Sequence, residues 1–194
     1  MKNQKQPIMK TPSNLDRERR LLLDTATELA NRLPLASIRL PLIVRQAGLP
    51  AKVGARCFSS RDDLLTSLHR HFLDRLIETV LATMPPGEAR LRKSTEGFLD
   101  ACVAQQYLRR QLLQLETSNT AVRKAAAARR AGFRALLTLE LHAMGIEQAP
   151  EAARLFRALI EEVSHAEIEA GRAIPDLRTK LWRFLDIWRT PPRT

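Results

Sequence analysis

Residues 37–65 read SIRLPLIVRQAGLPAKVGARCFSSRDDLL, and the punctuation of this stretch decides the fold. Pro41 suits the first turn of a helix, where its missing N–H would be unpaired anyway. Ile43 and Ala47 fall on one face of that helix. Gly48 stops it, because glycine takes a left-handed backbone without a Cβ penalty. Pro50 suits the first turn of a second helix, which runs to about Cys57 and sets Lys52 and Arg56 four residues apart on one face. Phe58 is apolar and is expected in the core. Ser60 is placed to cap a third helix, with Asp62 and Asp63 against its positive end. A helix, a tight turn containing Gly and a second short basic helix together predict a helix-turn-helix.

Outward from this stretch, the charge is uneven. The chain has 194 residues and a formal net charge of +11. Residues 1–60 hold eleven Lys/Arg against four acids, so most of the surplus sits in the first third. Clustered positive charge suits a polyanion, with double-stranded DNA the obvious one. Charge for solubility, or for an anionic membrane surface, is the plainer alternative. An apolar content of 44% is enough for a substantial core. Cys57 and Cys102 are far apart and lack zinc-ligand spacing, so two free thiols in a reducing cytoplasm are expected. No apolar run is long enough to span a membrane, and no apolar stretch follows the basic N-terminus as a secretory signal would require.

The polar residues 1–12, with Pro7 and Pro12, read as a mobile arm. Ser13 and Asp16 form an acidic capping box for a first helix running to about Leu33, with Leu22, Ala26 and Leu29 as its buried stripe. A long helix from about Arg61 to Thr83 carries Leu64, Leu68, Phe72, Leu76 and Leu81, and exceeds what a three-helix head needs. His69 and His71, two apart, point to different faces and do not share a metal. Met84-Pro85-Pro86-Gly87 breaks the chain. Beyond it, helices are expected from Glu88, Tyr107, Thr120, Pro150 and Pro175. The last two look amphipathic over a broad face. Leu155, Leu159, Val163 and Ala166 recur at intervals of three and four, and Leu181, Leu185 and Trp188 line the final helix. This breadth favours a homodimer over completion of the monomer core alone.

From Arg19 to Leu65 the chain resembles the DNA-binding domain of the tetracycline-repressor (TetR) family without a gap. The resemblance rests on Leu22-Leu23-Asp24-Thr25-Ala26 and Leu29, on Ile43-Val44-Arg45-Gln46-Ala47-Gly48, on Ala55-Arg56-Cys57-Phe58, and on Arg61-Asp62-Asp63-Leu64. Pro34, Arg39, Lys52 and Ala55 depart from the pattern; Ala55 stands where the family has a tyrosine that touches a phosphate. The resemblance implies an all-α regulator with two parts. Residues 1–60 would be a DNA-binding helix-turn-helix domain, joined by a long helix to a helical effector-binding and dimerisation domain over 61–194. It implies a dimer on a palindromic operator, released by a small apolar or amphipathic effector. The DNA-contacting residues would be Arg39, Arg45, Pro50, Ala51, Lys52, Val53, Ala55, Arg56 and Arg61, with Arg17, Arg19 and Arg20 near the backbone. The sparse polar and aromatic lining for an effector would be Phe98, Tyr107, Gln111, His142 and His165. Two other readings stay open: a DNA-binding regulator controlled by a protein partner, and a DNA-independent interaction module on the same fold.

Chemistry is sparse elsewhere. The seven glycines are scattered, and there is no phosphate-cradling loop, Gly-x-Ser-x-Gly elbow or His-Glu-x-x-His. Glu162 and His165 form an i, i+3 pair of the di-iron type, but no second Glu-x-x-His faces it. No catalytic residue, metal or cofactor is expected.

Overall fold

The computed structural model describes residues 13–81 and 84–188, and leaves out the side chains of residue 73 and residues 75–81. The arm expected over residues 1–12 and the contacts expected of Leu76 and Leu81 lie outside the described residues. Those residues form α1 (Asn14–Ala30), α2 (Leu40–Gln46), α3 (Ala51–Cys57), α4 (Arg61–Leu81), α5 (Glu88–Ala104), α6 (Gln106–Ser118), α7 (Thr120–Ala143), α8 (Ala149–Ala170) and α9 (Pro175–Trp188).

Local chemistry sets the boundaries. Ser13 Oγ accepts from the Asp16 N–H while the Asp16 carboxylate accepts from the Ser13 N–H, closing the capping box. Pro41 sits in the first turn of α2 and Gly48 turns the chain after it at φ 67°. Pro50 stands one place earlier than expected, as the extended N-cap of α3 rather than in its first turn. Ser60 Oγ accepts from the Asp63 N–H at the start of α4. Gly171 ends α8 at φ 67°.

The helices bury two connected apolar clusters. The first joins Leu22, Ala26, Ile43, Val44, Val53, Phe58, Leu64 and Leu68 of α1–α4 to Leu108 and Leu112 of α6. The second packs Leu91, Leu137, Leu141, Phe156, Ile160, Leu181 and Leu185 of α5 and α7–α9. Phe98 packs against both. Thus α6 is fastened to the N-terminal head by core residues. Polar ties reinforce the joint. Gln111 Nε2 donates to Ala30 O at 3.0 Å and its Oε1 accepts from the Leu35 N–H at 2.5 Å. His71 meets Asp24 at 2.8 Å, and Asn119 donates to Asp62 at 2.8 Å.

Three of the residues expected at a dimer surface lie inside the monomer. Val163, Leu181 and Leu185 are 7%, 3% and 3% exposed. The buried stripe of α8 runs through Ala152, Phe156, Ile160, Val163 and Glu167, rotated from the line Leu155–Leu159–Ala166. Leu155 is half exposed, Leu159, Ala166 and Trp188 are half-buried, and Ile187 is largely exposed.

Candidate nucleic-acid interface and effector cavity

The seven residues of α3 divide cleanly between two faces. Val53, Gly54 and Cys57 point inward, while Ala51, Lys52, Ala55 and Arg56 are exposed. Gly54 has a reason to be glycine: a Cβ there would lie 2.8 Å from Val44 Cγ2 and 3.1 Å from Leu40 Cγ. Its absence lets α3 cross close over α2. Val53 is 2% exposed, so the expected contact of Val53 with a base does not fit: the side chain is part of the packing under α3. Pro50, Arg39 and Arg45 are exposed beside this face. Among the described residues, Lys52, Arg39 and Arg45 have no intramolecular ion-pair or hydrogen-bond partner for their side chains. Arg56 lies 3.7 Å from Glu18 and is half exposed.

Two arginines expected near DNA are occupied within the head. Arg61 was expected to contact DNA; instead its Nη1 donates to Ile38 O at 2.9 Å and its Nη2 to Leu35 O at 2.8 Å. It ties the start of α4 to the α1–α2 loop. Arg19 donates to Cys57 O, to Asp63 at 2.9 Å and to Ser67 at 2.6 Å, and stacks 4.5 Å over the Phe58 ring. It joins α1 to α3 and α4. Arg17 and Arg20 remain exposed. Burial pushes the Asp63 carboxyl up, but hydrogen bonds from the Ser59 N–H and Arg19 prevail and hold it below the usual range.

The second feature is a cavity of about 70 Å³ between α4 and α8, lined on its apolar side by Phe98, Ala126, Phe133, Leu136 and Ile160. It is small beside the roughly 300–1,000 Å³ of pockets for drug-sized ligands. An open cleft of about 720 Å³ adjoins it, with Leu113, Arg123, Arg157 and His165 in its walls. Arg109, Glu116, Arg130 and Glu161 line both spaces. Glu116 is the hub of this shared wall: His69 Nε2 lies 2.9 Å from one oxygen and Arg130 Nη1 donates to the other at 2.6 Å. Burial pushes the Glu116 carboxyl up, yet the hydrogen bonds from His69 and Arg130 overcome it and hold it at about 2. Arg157 Nη1 forms an ion pair with Glu161 at 2.5 Å.

Of the expected effector-lining residues, Phe98 faces the cavity and His165 the outer cleft. The others do not reach either space. Tyr107 is 43% exposed, His142 is exposed, and Gln111 is spent on the α1–α2 loop. The outer cleft that adjoins the cavity is walled by α6, α7 and α8. Sequence reasoning missed Arg109 and Glu116, whose signal is their spacing: with Leu113 they occupy one face of α6, next to the face whose leucines grip the head. His69 and His71 diverge as their spacing requires, one to Glu116 on α6 and the other to Asp24 on α1. Among the described residues no cluster of three or more His, Cys, Asp or Glu is arranged to hold a metal, and no helix is long and apolar enough to cross a membrane.

No protein-family model and no curated protein sequence matches this chain. Its fold does match solved structures. A TetR transcriptional regulator from Rhodococcus sp. RHA1 superposes with TM-score 0.62 at 20% identity, covering 89% of this chain and 96% of that one. Salmonella enterica GusR gives TM-score 0.70 at 16% identity over 92% and 98%. The multidrug binding protein EbrR, solved with imidazole, gives 0.67 at 18% identity over 97% and 100%. The chain has the all-α fold of TetR-type regulators along nearly its whole length.

Proposed function

We propose that this chain is a TetR-like transcriptional regulator, a repressor that binds a palindromic DNA operator as a homodimer and leaves it when a small effector binds. The observation that carries the reading is the division of α3. Its inner face is locked onto α2 by Val53 and Gly54, and its outer face presents Lys52 between small, smooth neighbours. A helix so presented enters a major groove with its first residues at the base edges. Lys52 then meets a base, Pro50, Ala51 and Ala55 offer apolar surface to a thymine methyl, and Arg39, Arg45 and Arg56 meet phosphates.

Release uses α6. One face of this helix lines the cavity through Arg109 and Glu116, while Gln111, Leu108 and Leu112 hold the head. A ligand that prefers one position of α6 biases the spacing of two heads in a dimer, with coupling typically about 1–3 kcal/mol. The dimer uses the apolar surface left over on α8 and α9, namely Leu155, Leu159, Ala166, Ile187 and Trp188.

The experiment is selection of bound fragments from a random duplex pool. The expected product is an inverted repeat with half-sites about one helical turn or slightly more apart. A pool that stays unenriched through successive rounds contradicts the reading.

A further inference from the structure

Two arginines set into the helix packing come with carboxylates, Arg90 buried and Arg178 half-buried. Arg90, 7% exposed, donates through Nε to Glu140 at 2.7 Å, and Glu140 is 2% exposed. Arg178 grips the fully buried Glu167 with two hydrogen bonds of 2.7 and 2.8 Å. Arg109 breaks the pattern. It is as buried as Arg90, yet among the described residues no carboxylate stands within ion-pair range of it. Its guanidinium meets the Phe72 ring at 6.0 Å and the Cys102 thiol, and its Nε has no hydrogen-bond partner. Arginine does not shed its charge when buried, so it carries a desolvation cost that no paired carboxylate offsets.

The position of that charge is informative. Arg109 lines both the apolar cavity and the outer cleft. The other cations on the cavity wall are matched: Arg130 by Glu116, and Arg129 by Asp74. Glu161 is matched by Arg157. Of the three arginines on the cavity wall, Arg109 is the one without a carboxylate, at the edge of a space floored by Phe98, Phe133 and Ile160.

We propose that the cavity binds an amphipathic carboxylate, with its apolar body against Phe98, Phe133 and Ile160 and its single anionic head forked onto Arg109. This rests on the effector reading above and specifies the effector's class. A carboxylate matches the planar guanidinium with two parallel hydrogen bonds and supplies the one missing negative charge. An alcohol leaves the charge unbalanced, and an ammonium adds a second cation. The small cavity restricts the buried part to a short chain or a single ring.

The test titrates the full-length protein with octanoate, 1-octanol, octylamine and acetate, read by calorimetry. Octanoate is expected to bind at least tenfold tighter than 1-octanol or octylamine, with acetate far weaker for want of an apolar body. Arg109→Gln should weaken octanoate at least tenfold and leave 1-octanol unchanged. Affinity of 1-octanol or octylamine equal to that of octanoate, or octanoate binding unaltered in Arg109→Gln, overturns the proposal. The wild-type ligand ranking decides the matter by itself if the variant does not fold. Operator binding is measured on the same protein in parallel. A failed ligand ranking with intact operator binding removes the ligand class and keeps the regulator; lost operator binding removes the regulator and leaves the ligand ranking standing.

Discussion

Arg61 and Glu116 show how much a single side chain's surroundings decide. Arg61 opens α4 in a run of basic and acidic residues that looks made for a phosphate, yet two backbone carbonyls of the α1–α2 loop already occupy its guanidinium. Arg61→Ala should therefore act on stability, lowering it by about 1–2 kcal/mol in chemical denaturation, the scale of lost charge-assisted hydrogen bonds. An undiminished unfolding free energy would show that the staple is idle. Glu116 is held at about 2, below its ordinary 4.5, by His69 and Arg130 against the pull of burial. A carboxylate depressed by folding contributes stability that is complete above the ordinary value and is lost as pH falls toward the folded one. Between about pH 4.5 and 2, wild type should lose stability faster than Glu116→Gln, by up to about 1.4 kcal/mol per pH unit for the one proton. At pH 7 the Gln variant should be the less stable of the two. Parallel acid dependences would mean that the His69–Glu116–Arg130 bridge does not report on folding.

At the scale of the element, stops and caps were legible, as was the phase of α1 and α4, but the phase of α3 and α8 was not. Ser13, Gly48, Ser60 and Gly171 act through their nearest neighbours, so their local chemistry suffices to place helix ends. Phase needs length. The α3 helix makes about two turns, too few for a stripe to declare itself, so Val53 read as outward although Gly54 beside it marks the packed side. On α8 the apolar residues cover more than one face. Leu155 and Leu159 drew the stripe away from its true axis, which runs on into Glu167, a charge paired with Arg178 from α9. Such buried pairs join residues far apart in sequence, and a local pattern cannot announce them. The cavity was hidden for the same reason, being assembled from α4 through α8. The exposed basic face over α2 and α3 was largely readable because two adjacent short helices build it. Gly54 supplies the test of this element. Gly54→Ala drives a methyl to 2.8 Å from Val44 Cγ2, and should cost about 1–3 kcal/mol by overpacking. Thermal denaturation of this variant that matches wild type would show that α3 does not sit where its packing on α2 requires.

At the scale of the whole molecule, the head, α6 and the paired C-terminal helices each have a part in the proposed regulator. The dimer prediction separates the two faces of the last helices. Leu181→Asp should unfold the monomer, since Leu181 is 3% exposed in its core and a buried unpaired charge costs several kcal/mol. Leu155→Glu, at a half-exposed site, should keep the fold and halve the mass seen by light scattering. A wild type that is monomeric at micromolar concentration would end the dimer account. That α3 reads DNA, and holds it mainly by ionic contacts, is decided by the affinity of the dimer for its selected operator as a function of salt, with wild type and Lys52→Ala side by side. The expected result is a steep line for wild type, log K falling by about 0.9 per phosphate neutralised for each tenfold rise in salt. In Lys52→Ala the selected operator should lose at least tenfold in affinity while random duplex loses much less. Equal affinity of wild type and Lys52→Ala for the operator, or binding that does not respond to salt, would contradict the account.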